Sequence, residues 1–128
     1  MKAIKPVLLA LTAALVIKLF FFDFIVAQGH SMEPAIHDGD VLIISRLRYG
    51  FRFPLQQKYL LLWSQPKTGE VVVFYTPEGD LAVKRCAAEY TSNRLYFFAE
   101  GDNSLASYDS RAYGQVSVEN IIGKVLGR

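Results

Sequence analysis

A chain of 128 residues with one cysteine and a formal net charge of +2 has room for one domain with a single core, not two. Its 14 Lys and Arg stand against 12 Asp and Glu and are scattered along the chain, so no basic surface tracks a phosphate backbone and nucleic acid is not an expected partner. Cys86 alone closes no internal disulfide and brings no companion ligands for zinc; no metal and no cofactor are expected.

Residues 6–22 are apolar but for Lys18 and Thr12, and Lys2 and Lys5 precede them. As a helix rising about 1.5 Å per residue the run spans about 25 Å, short of the ~30 Å hydrocarbon core of a bilayer. Crossing therefore needs help from flanking residues or local thinning. Lys18 lies toward the distal end, where its stem reaches the interface. A cleaved signal peptide and a buried helix are the competing readings. The first is weakened because Ile25-Val26-Ala27 is a poor small-x-small cleavage site, and a cut there leaves Ser31 almost at a free end. Residues 1–22 are expected to form a cytoplasmic tip and one transmembrane anchor, with the lipid bilayer as a partner. Residues 23–128 are then an extracytoplasmic domain.

Beyond the anchor the apolar runs are short and rich in Val, Ile, Phe and Tyr, with Gly, Pro, Asp or Asn between them. That punctuation predicts strands over 22–27, 41–45, 70–75, 80–85, 94–100 and 121–126, and hence a mainly β, barrel-like or folded-sheet domain. Thr76-Pro77-Glu78-Gly79-Asp80 holds the Pro and Gly of a tight reversal, so the strands around it form a hairpin. Side-chain alternation then puts Ala82 and Lys84 on one face and Val83 and Arg85 on the other. The apolar stretch 59–63 reads equally as core or as a membrane-interface segment.

Gly29-His30-Ser31-Met32-Glu33-Pro34 is the most informative stretch. A Ser after a Gly, on a loop leaving a strand, exposes its hydroxyl while nearby N–H groups converge on one point. The plain alternative is a turn serine bonded to its own backbone. His30 points to the other face of an extended segment, and His37 has no obvious carboxylate to orient it, so both read as surface or turn histidines. Lys84 is the other candidate base, provided apolar neighbours lower its pKa. Taken alone, a strand lysine is a solvated surface residue.

The segments in their order resemble the bacterial type I signal peptidases, a family of Ser/Lys-dyad serine proteases. Gly29 to Pro34 resembles the nucleophile motif Ser-Met-x-Pro, and Gly39-Asp40-Val41-Leu42-Ile43 the strand after it. Arg48-Tyr49-Gly50-Phe51-Arg52-Phe53-Pro54 resembles the family's Tyr-Gly loop, and Gly69-Glu70-Val71-Val72-Val73-Phe74 its next strand motif. Val83-Lys84-Arg85 resembles the strand bearing the base, and Gly101-Asp102-Asn103 with Ser107, Asp109-Ser110-Arg111 and Gly114 the motif near the C-terminus.

The resemblance implies Ser31 as nucleophile, Lys84 as general base, the Ser31 N–H at the oxyanion and Ser107 orienting the lysine. Gly29 occupies the place where some relatives add an oxyanion hydroxyl. Asp102 with Arg85, and Asp109 with Arg111, are implied supporting pairs; the plain alternative is ordinary surface pairs worth little. The implied substrate is a preprotein whose signal peptide has small residues one and three positions before the cut. Ile25, Ala27, Met32, Ile36 and Ala82 are candidate pocket residues for it, lining an edge to which an extended peptide adds as a strand. The implied place is the bacterial cytoplasmic membrane, single-pass, N-terminus inside and catalytic domain outside.

Departures mark a compact form: Cys86-Ala87-Ala88-Glu89-Tyr90 replaces the usual Gly-x-Pro-Gly-Asp turn and large insertion, Ser104-Leu105-Ala106 replaces more polar residues, and Ala35 stands where Thr is common. A peptidase dedicated to one conjugative-transfer or pilus protein shares the same chemistry. A Ser/Lys autoproteolytic repressor needs a DNA-binding domain where the anchor lies, and a non-catalytic tethered module leaves Ser31 and Lys84 idle.

Overall fold

A computed structural model of the chain describes residues 2–53, 56, 58–88 and 95–128. Helix α1, Ile4–Phe20, forms because Leu, Ala, Val and Ile follow one another with Pro6 confined to the first turn, where its missing N–H costs nothing. It is apolar on every side and buries no residue. Its C-terminus carries Lys18, suited to the negative end of the helix dipole, and the buried Arg46 guanidinium donates to the Leu19 carbonyl. The helix stops at 17 residues because the chain turns extended at Phe22. Among the described residues no helix is long and apolar enough to cross a membrane, so the anchor expected over 1–22 is not shown as a full span.

Strands β1, Phe22–Val26, and β2, Val41–Ser45, flank a long loop. The short β3, Gly50–Phe51, and β4, Leu61–Leu62, pair with each other. Then come β5, Val71–Tyr75, β6, Leu81–Ala88, and β7, Tyr96–Glu100, followed by the one-turn helix α2, Ser110–Tyr113, and by β8, Val116–Ser117, and β9, Ile121–Val125. Seven of the strands make one antiparallel sheet in the order β1-β2-β9-β5-β6-β7-β8. The domain is mainly β, as expected.

The six predicted strands all form, with ends shifted by at most three residues, the largest being the strand predicted to stop at Arg85 that runs on to Ala88; Arg94, predicted to start another, lies outside the described residues. The predicted hairpin pairs Tyr75 with Leu81, and its turn is closed by Thr76 N–H on Asp80 O at 2.7 Å and Gly79 N–H on Thr76 O at 2.8 Å. Gly79, at φ +93°, takes the left-handed conformation that a side chain resists.

Strand β5 is buried on both faces, which is why it reads as an unbroken Val-Val-Val-Phe run. Val72 and Phe74 enter one core cluster with Tyr49, Phe97 and Ile121, while Val71 and Val73 enter a second with Met32, Ile36, Leu42 and Val125. Phe74 meets Phe97 edge to face at 5.4 Å; each such ring removed from water is worth about 2–3 kcal/mol. Stretch 59–63, left open between core and interface, exposes Leu60, Leu61 and Trp63, while the Tyr59 hydroxyl donates inward to Ile121 O at 2.7 Å.

Strands β1 and β6 are four places apart in the sheet, yet residues of both line one cavity; the sheet therefore curls. Among the described residues β1 pairs only with β2, and β6 pairs with β7 only from Arg85 onward. Two unpaired edges thus meet across that cavity.

Candidate active site

The loop 27–40 is closed at its base by Ala27 N–H on Asp40 O and Gly39 N–H on Ala27 O, both 2.8 Å. Met32 and Ile36 peg it into the second core cluster at 4 % and 2 % exposure, because a loop with two large apolar residues four apart buries both on one side. Gly29 has φ +84° and donates its N–H to Asp38 Oδ1 at 2.8 Å. Ser31 lies between these anchored points, and its carbonyl accepts from Asn103 N–H at 2.8 Å.

Lys84 reaches the same place from β6, where its partner across the ladder is Val72. Its side chain is 7 % exposed, and Nζ lies 2.8 Å from Ser31 Oγ. Burial pushes its pKa below the ordinary lysine value; Asp109 pulls it back up and Arg111 adds to the lowering. A neutral amine at this distance can accept the hydroxyl proton.

Asp109, 1 % exposed, organises the ground behind the dyad. Its carboxylate accepts from Ser107 Oγ at 2.5 Å, from Gly101 N–H at 2.8 Å, and from Arg111 Nη2 at 2.5 Å and Nε at 2.9 Å. Burial alone raises its pKa, but the hydrogen bonds from Arg111, Ser107 and the two backbone N–H groups outweigh that and hold the carboxyl well below the usual range. Arg85, next to Lys84, forks onto Asp102 and also donates to Gly69 O at 2.8 Å.

Ile25, Ala27, Met32, Ile36 and Ala82, singled out for a substrate pocket, all line the cavity of about 350 Å³ that also holds Gly29, Ser31 and Lys84. Ser107 differs from its implied role: its hydroxyl donates to Asp109, and among the described residues no hydrogen bond joins it to Lys84. His30 and His37 are exposed, as expected. The His30 ring meets Glu33 at 2.6 Å, which raises its pKa. His37, expected to lack a carboxylate, has the same Glu33 oxygen at 3.9 Å. Thr76, Asp80 and Tyr108 also line the cavity; the first two were legible only as the ends of a turn and Tyr108 not at all, since only the curl of the sheet and the return of the C-terminal loop bring them there.

The family model described as "Signal peptidase, peptidase S26" matches residues 1–89. The chain belongs to that family. With it, the chain belongs to the serine endopeptidases. A Signal peptidase I of Bacillus caldolyticus is 25% identical, covering 94% of this chain and 86% of its own length. One from Haemophilus influenzae is 27% identical over 89% of this chain, and one from Pseudomonas aeruginosa 25% identical over 98%. The chain spans only 31% and 41% of those two relatives. The family match contains both Ser31 and Lys84, and the C-terminal segment 101–111 that braces them lies beyond it.

Proposed function

We propose that the chain is a membrane-bound signal peptidase that removes signal peptides from exported preproteins, with Ser31 as nucleophile and Lys84 as general base. The observation that carries this is the 2.8 Å approach of Lys84 Nζ to Ser31 Oγ in the wall of a cavity of about 350 Å³. Neutral Lys84 takes the hydroxyl proton as Oγ attacks the scissile carbonyl. The Ser31 N–H, which among the described residues has no acceptor, stabilises the oxyanion. The lysine then returns the proton to the leaving amine, and water repeats the cycle to free the acyl-enzyme.

The substrate is an extended peptide that adds between the unpaired edges of β1 and β6. Shallow walls made by Ile25, Ala27, Met32, Ile36 and Ala82 admit small side chains and exclude large ones before the cut. At the membrane, α1 is the anchor. Exposed Phe22, Phe24, Leu60, Leu61 and Trp63 extend its apolar surface into the interface and make up for its short length. That arrangement holds the cavity at the outer face of the bacterial cytoplasmic membrane, where a translocated cleavage site emerges.

The test is cleavage of a preprotein by the purified chain in detergent. Ser31→Ala and Lys84→Ala should each abolish it, and activity surviving either change excludes the dyad. Comparing several preproteins separates a general peptidase from one dedicated to a single substrate.

A further inference from the structure

Among the described residues the hydrogen bonds between the loop carrying Ser31 and the segment 101–107 pass through one residue, Asn103. Its backbone N–H donates to Ser31 O at 2.8 Å and its side-chain Nδ2 to His30 O at 3.1 Å. Asn103 opens the short 3-10 turn Ser104–Ala106, a position where an Asn side chain ordinarily caps the turn, but here it makes no capping bond. The amide is directed across to the nucleophile loop instead.

The His30 carbonyl and the Ser31 N–H belong to the same peptide unit. In a planar trans peptide the C=O and N–H point in opposite directions, so whatever holds the carbonyl sets where the N–H is aimed. Among the described residues the only other donor to His30 O is Glu33 N–H, at a longer 3.3 Å. The segment bearing Asn103 is itself braced: Gly101 N–H donates to buried Asp109, and Asp102 is forked by Arg85. It has the rigidity to act as a reference point.

Resting on the reading of Ser31 as nucleophile, we infer that Asn103 is a positioning residue: its side-chain amide fixes the 30–31 peptide plane so that the Ser31 N–H faces the developing oxyanion. It touches neither the substrate nor the lysine. Its loss therefore slows acylation without weakening substrate binding or changing the ionisation of Lys84.

The test compares wild type with Asn103→Ala and Asn103→Asp, the second keeping the size but replacing the donor with an acceptor. Three quantities are read: kcat and KM on a signal-peptide substrate, the rate at which a small activated ester acylates Ser31 by intact mass, and the pH midpoint of activity. Asn103→Ala should lower kcat and the acylation rate about tenfold, less than the ~10²–10³ of removing an oxyanion donor outright, and Asn103→Asp should lower them further. KM should stay within about twofold and the pH midpoint should not move. Rates within about twofold of wild type in both variants overturn the inference, as does a loss accompanied by a shifted pH midpoint or by a matching fall in thermal stability. If wild type is acylated at Ser31 but cuts no signal peptide, the peptidase reading fails while the acylation ratio still judges Asn103. A wild-type Ser31 inert to both defeats the two together.

Discussion

The Arg85 guanidinium meets the Asp102 carboxylate through two hydrogen bonds, Nε to Oδ1 at 2.9 Å and Nη2 to Oδ2 at 2.8 Å. Arg85 follows the general base of the proposed mechanism and Asp102 precedes Asn103, so this fork ties the strand of the lysine to the segment that touches the serine loop. The pair is partly exposed, 30% and 21% by side chain, and its contribution to stability should be small, under about 1 kcal/mol. Asp102→Ala should lower kcat/KM several-fold while barely changing the denaturation midpoint. A double-mutant cycle with Arg85→Ala checks the point, because equal losses in the single and double variants show that the two act as one unit.

Activity should rise with pH through the ionisation of Lys84, at a midpoint below the ordinary lysine value of about 10.4, since burial disfavours the charged form. Stability carries the same sign. Between the lowered native value and the unfolded one, only the unfolded chain holds the proton, so stability increases with pH across that window. Below it the cost of the buried charge is fully present. Lys84→Met should therefore be inactive yet at least as stable as wild type at pH 7, with its advantage shrinking as pH rises. Denaturant titrations at several pH values measure it.

Asp109→Asn should destabilise the fold by about 1–3 kcal/mol at pH 7, since an amide in place of the buried carboxylate satisfies only part of the bonds from Ser107, Gly101 and Arg111. The native carboxyl ionises well below the unfolded value of about 3.9, so its contribution is complete above that value and is lost as pH falls through the native one. The gap between wild type and variant should close in acid, and parallel unfolding curves from pH 7 downward would reveal it. A constant gap would mean that ionisation is not its source.

Gly101→Ala should be among the most damaging small changes in the chain. A Cβ at 101 would stand 2.2 Å from Ser107 Oγ, 2.6 Å from Ser107 Cβ and 2.7 Å from Ser31 O, so both the nucleophile loop and the Asp109 network have to shift. A loss of about 1–3 kcal/mol with a larger fall in kcat is expected. A variant as active as wild type would show that the close approach has no catalytic consequence.

Local chemistry made much of this molecule legible from residues alone. Runs of β-branched and aromatic residues marked the six longer strands, Thr76 to Asp80 marked the hairpin, and the apolar run before Phe22 marked α1, because each depends on neighbours within a few positions. The two-residue strands β3, β4 and β8 left no readable period. Ser31 and Lys84 were nameable only through a family resemblance, since neither a turn serine nor a strand lysine is diagnostic alone. That they meet at 2.8 Å across 53 positions follows from the curl that brings β1 and β6 together. The same closure decided that Asn103 holds the serine loop, whereas Ser107 finds Asp109 only two positions along its own loop. Side chains reaching across loops obey no sequence period, so their partners are set only when the whole sheet has folded.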